Sequence, residues 1–134
     1  MKLEKEKAAK VIEDQYLEGY QKEINEIVGK EIPININWNT FEIDFIKFVP
    51  SICLQRLTDG LKSVCKDKKS KEVVAGNINS IEVYCIPNEG AEAKKELKLD
   101  TSVFSLTACW GGHQSGYFTD LEICEYLESS LQQS

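Results

Sequence analysis

Arginine is almost missing from this chain: Arg56 is the only one among sixteen basic residues. A surface that follows phosphates needs a basic face and usually arginine for bidentate contacts. Here 22 acidic residues outweigh the cations and leave a formal charge of −6, so nucleic acid is not an expected partner. Histidine is equally scarce, with His113 alone, and the five cysteines include no Cys-x-x-Cys pair. Those two shortages exclude a conventional structural zinc site. No dense Asp/Asn run of the calcium-loop kind occurs, and neither a metal nor a cofactor is expected. Apolar runs fall far short of the ~20 residues that span a bilayer. Met1 to Lys10 alternates Lys and Glu without an apolar segment, which argues against a secretory signal. No membrane association is expected.

What is present fits one ordinary domain covering 1–134, with 42% hydrophobic residues to build a core. Cys53, Cys65, Cys85, Cys109 and Cys124 are odd in number, widely spaced and set among apolar neighbours. That pattern suits reduced, buried thiols and a cytoplasmic location.

From Leu3 to Val28, Ala8/Ala9, Ile12, Tyr16, Tyr20, Ile24 and Val28 recur every four residues, predicting one long amphipathic helix that stops at Gly29. Ile32, Ile34, Ile36 and Trp38 alternate with polar residues, as in a strand with one buried face. Residues 41–49 fit a strand, a loop or a helical turn. Pro50-Ser51 opens a second helix through about Cys65, and Lys66 to Lys71 reads as an exposed connector. Val73, Val74 and Ile78 suggest a short helix. Ile81, Val83 and Cys85 then alternate, Glu96 to Leu99 returns, and Val103 to Trp110 is rich in β-formers. These three strands are expected to form a meander. Thr119 and Glu122 make a capping box before a last helix carrying Leu121, Cys124, Leu127 and Leu131. The predicted class is α+β: a mainly antiparallel sheet of about four strands, with the long N-terminal, middle and C-terminal helices packed on it.

No motif has the specificity of a phosphate-binding loop or a nucleophile elbow. Two places could carry function. The loop from Gly111 to Gly116 joins a strand to a helix, where backbone N–H groups can bind a small ligand. A hydrolytic version would use His113 as base and Ser115 or Cys109 as nucleophile. Burial of Cys109 in an apolar strand counts against it. The second place is the segment from Ser105 to Ser134, which has four acidic residues and no Lys or Arg. Asp120, Glu122, Glu125 and Glu128 would supply an acidic rim, and Trp110, His113, Tyr117 and Phe118 aromatic anchors. Core packing of Trp110 and Phe118 is the competing account.

The resulting expectation is a small acidic cytoplasmic domain that binds a basic protein, in an immunity, inhibitor or secretion-chaperone type of role. The alternative is a ligand-binding or hydrolytic enzyme centred on the glycine loop. The first helix could also pair with a second copy in a homodimer.

Overall fold

A computed structural model describes residues 2–112 and 114–131. The N-terminal pattern forms a continuous rod in which α1 (Lys2–Ile12) passes through a π-helical turn, Glu13–Leu17, into α2 (Glu18–Val28). A hydrophobic repeat of four drifts around a regular helix of 3.6 residues per turn. The wider π turn absorbs part of that drift, so Ala9 and Ile12 before it and Ile24 and Val28 after it all reach the core. Tyr16, inside the π turn, does not: it stays 44% exposed. The rod ends at Gly29, whose N–H donates to the Asn25 carbonyl at 2.8 Å.

After β1 (Ile34–Ile36) comes the stretch that the sequence left open, which holds a 3-10 turn at Trp38–Thr40 and the short α3 (Ile43–Ile46). A second π-helical turn, Val49–Leu54, leads into α4 (Gln55–Val64). The expected lysine connector is shorter than predicted, because α5 (Lys68–Asn77) begins within it. Asp67 is the reason: its carboxylate accepts the Ser70 N–H at 2.8 Å and caps the helix.

Among the described residues, β1, β2 (Ser80–Cys85), β3 (Glu96–Asp100) and β4 (Val103–Ala108) form one sheet in the order β1-β2-β4-β3. The sheet is mixed, correcting the mainly antiparallel expectation. Only β3 and β4 run antiparallel; β1 with β2 and β2 with β4 are parallel. Nor is there a meander. The connection over residues 86–95 is long enough to carry β3 past one strand position, and the tight turn at Thr101 and Ser102, both at positive φ, brings β4 back into the gap.

Ile81, Val83 and Cys85 of β2 and Phe104, Leu106 and Ala108 of β4 are buried under the helices, while Glu82, Tyr84, Ser105 and Thr107 face the other way and are half-buried. Side chains from the helices close both sheet edges. Beside β1, Gln21 and Asn25 accept the N–H groups of Ile34 and Ile32, each at 2.8 Å. Beside β3, the hydroxyl of Tyr126 on α6 (Asp120–Leu131) accepts the Leu99 N–H at 2.8 Å. Such capping blocks unwanted strand pairing. No helix among the described residues is long and apolar enough to cross a membrane.

Candidate functional site: the loop after β4 and helix α6

The loop that leaves β4 is governed by close packing. Gly111 sits at φ +106°, and a Cβ there would lie 2.7 Å from Cγ of the Phe48 ring. A Cβ on Gly112 would meet the Cys109 sulfur at 2.7 Å and Asn88 Oδ1 at 3.0 Å. The space that a ligand would need above these glycines is thus filled by the protein's own side chains. Cys109 N–H donates to the Gly116 carbonyl at 2.8 Å, pinning the far end of the loop.

Of the residues considered for catalysis, Cys109 is fully buried, and that burial raises its thiol pKa although the Gly112 N–H and Cys85 partly oppose the shift. A protonated, enclosed thiol is a poor nucleophile at neutral pH. Ser115 is exposed, and His113 lies outside the described residues. Burial likewise pushes the Cys65 and Cys85 thiols up to about 11. No group of acidic, histidine or cysteine side chains among the described residues could hold a metal ion.

The aromatic residues divide sharply. Trp110 is 0% exposed, its indole N–H donating to the Tyr84 carbonyl at 2.9 Å. Phe118 is 7% exposed and tilts against Trp110 at 6.4 Å between ring centroids. Both contribute to the core and leave almost nothing for a partner to touch. Tyr117 is half-buried under the Arg56 guanidinium, which stands 5.0 Å from its ring centre. Arg56 also donates to the Phe118 carbonyl at 3.2 Å. Lys95 donates to the Tyr117 carbonyl at 3.2 Å and lies 4.8 Å from the Phe118 ring centre. These two cations lock the entry to α6, and the sequence showed them only as a lone arginine and one lysine among many.

The acidic residues divide too. Thr119 and Glu122 form the capping box: Glu122 N–H donates to Thr119 Oγ1 at 3.1 Å and Thr119 N–H to Glu122 Oε1 at 3.0 Å. Glu122 pairs with Lys95 at 3.2 Å, and Glu128 with Lys66 at 3.5 Å. Partial burial alone would raise the Glu122 pKa, but the Thr119 N–H and the Lys95 ammonium outweigh it and hold the carboxyl below its ordinary value. Asp120 and Glu125 are exposed and enter no ion pair among the described residues. Between them Leu121 is 63% exposed.

The cap makes a direct prediction. Thr119→Ala should cost about 1 kcal/mol at neutral pH, read from urea unfolding. Since the folded-state pKa of Glu122 is lowered, its contribution is complete above the ordinary value of 4.5 and disappears as pH falls through the lower folded-state value. The penalty of Glu122→Ala should therefore shrink in that acid window.

Comparison with protein-family models, curated proteins and solved structures gives no match. The functional reading rests on the geometry alone.

Proposed function

We propose that this chain is a small acidic protein-binding domain whose α6 surface receives a basic partner. The observation that supports it is Leu121, a large apolar side chain left 63% exposed, with the exposed carboxylates of Asp120 and Glu125 beside it on the same helix. Residues 121 and 125 are one turn apart and share a helix face. An apolar anchor with a charged rim is the usual composition of a small recognition patch. The formal charge of −6 adds long-range attraction for a basic protein. Glu122 and Glu128, already paired with lysines of the same chain, serve mainly to fix the helix in place. An immunity, inhibitor or secretion-chaperone type of role fits these features; the enzyme reading gains no supporting geometry from Cys109.

The test separates contact from stability. Tagged wild-type protein should capture a basic partner from its native lysate, with capture falling as salt rises. Leu121→Ser with Glu125→Lys should weaken that capture at least roughly tenfold, the loss expected for a truncated apolar anchor plus a reversed rim charge. Thermal unfolding should barely change because both side chains are exposed. Undiminished capture by the double variant would refute the assignment.

A further inference from the structure

The two edges of the sheet are closed unequally. Along β1 the outward N–H groups of Ile32 and Ile34 are both taken by helix side chains. Along β3 the Tyr126 hydroxyl takes that of Leu99. The tight turn at Thr101 and Ser102 makes Asp100 and Val103 a hydrogen-bonded pair, so alternation along the ladder turns the N–H and C=O of both Leu97 and Leu99 away from β4. No group among the described residues takes the outward N–H or C=O of Leu97. An edge left open in this way is a template for another strand.

Charge decides which strand fits. β3 and the residues before it read Lys94-Lys95-Glu96-Leu97-Lys98-Leu99-Asp100. Laid antiparallel against itself about Leu97, this segment sets Glu96 opposite Lys98 and Lys94 opposite Asp100, each twice by symmetry. A shift of register in one direction sets Glu96 against Glu96 and Lys94 against Lys98; a shift in the other sets Lys98 against Lys98 and Glu96 against Asp100. Like charges directly opposite are unfavourable, so only the register centred on Leu97 is complementary. All four charged side chains are exposed. Lys94 and Glu96 enter no ion pair among the described residues, and Lys98 reaches Asp100 only at 3.9 Å.

We infer that β3 pairs antiparallel with β3 of a second copy, centred on Leu97, and joins two four-stranded sheets into one across a symmetric dimer. The two Leu97 residues exchange N–H and C=O bonds at the centre. The charged pairs fall at the non-hydrogen-bonded positions, where side chains across the ladder are closest. Leu99 N–H passes from the Tyr126 hydroxyl to the Lys95 carbonyl of the second copy, one bond for another, so Tyr126 acts as a brake on pairing. Such a short edge buries less than the roughly 1,000 Å² typical of a stable interface, and the dimer is weak and concentration-dependent. It uses the β3 edge instead of Leu121 and Glu125 on α6, and stands independently of the protein-binding proposal.

The experiment is sedimentation velocity of the full chain from about 20 μM to about 1 mM, where a reversible dimer should appear and weaken as salt rises. Glu96→Lys and Lys98→Glu each set like charges opposite one another and should weaken association roughly tenfold or more. The double variant carrying both exchanges restores every opposite pair at unchanged net charge and should dimerise as wild type does. An equal mixture of the two single variants should form the heterodimer. Tyr126→Phe leaves Leu99 N–H uncapped and should strengthen association roughly fivefold, about one hydrogen bond. Thermal unfolding of the charge variants should match wild type because the altered side chains are exposed. A chain that stays monomeric throughout, a dimer indifferent to either single exchange, or a double variant that fails to recover would overturn the inference; the second of these would place the contact on another face, such as the first helix.

Discussion

Gly111→Ala is expected to destabilise the domain by roughly 3 kcal/mol, the sum of a left-handed backbone penalty and the overpacking of a filled site. Both contributions are visible in the geometry: φ is +106°, and the added Cβ would stand 2.7 Å from Phe48 Cγ. The Phe48 main chain is held in place before the π-helical turn at Val49–Leu54, where its carbonyl accepts the Ile52 N–H at 2.9 Å, so relief of the clash has to come from turning the ring out of its packed position. Urea unfolding of Gly111→Ala, Phe48→Ala and the double variant would separate the two effects. In the Phe48→Ala background the glycine substitution should cost only about 1–2 kcal/mol, the backbone share. An undiminished cost in that background would mean that the ring is not what demands glycine.

That cycle also bears on function. Glycines in a strand-to-helix loop are often read as room for a ligand, and the sequence alone supports either meaning. Here Phe48 is over sixty positions away in the chain and Asn88 more than twenty, so no local pattern could reveal that they occupy the space. The same holds for the sheet. Alternation in Ile81–Cys85 and Val103–Ala108 correctly separates a buried face from a half-exposed one, and such alternation usually accompanies antiparallel pairing. This sheet instead leaves one face of its parallel strands uncovered, so the signal identified the strands but not their directions. The long first helix was legible because five repeats of an apolar residue reinforce one another; the π turn inside it was not, because a period of four fits a helix adequately in any short window. Capping by Thr119 and Glu122 was legible for the opposite reason: every partner lies within one turn.

Trp110→Ala should have the largest effect of any substitution in the candidate site, about 3–5 kcal/mol, the cost of emptying a large buried aromatic position. The side chain is 0% exposed, packs against Phe118 and closes a hydrogen bond to the Tyr84 carbonyl at 2.9 Å. In a domain whose whole stability is of order 5–15 kcal/mol, a loss of that size leaves a large unfolded fraction at moderate temperature. Trp110→Phe retains most of the ring and removes the donor, so it should cost roughly 1–2 kcal/mol, close to the value of the hydrogen bond and the lost volume. Urea unfolding orders the two variants. Partner capture, measured where each remains folded, then distinguishes a core residue from a contact: Trp110→Phe should capture as well as wild type, whereas Leu121→Ser should fold normally and capture poorly. The reverse pattern would place the recognition surface at Trp110 and require the β4 end to open on binding. With the indole enclosed by Phe118 and Tyr84, and the entry to α6 held by Arg56 and Lys95, such opening would break several of the contacts that fix α6. Leu121 needs no rearrangement to meet a partner, which is the physical reason for assigning recognition to the outer face of the helix instead of to the aromatic cluster beneath it.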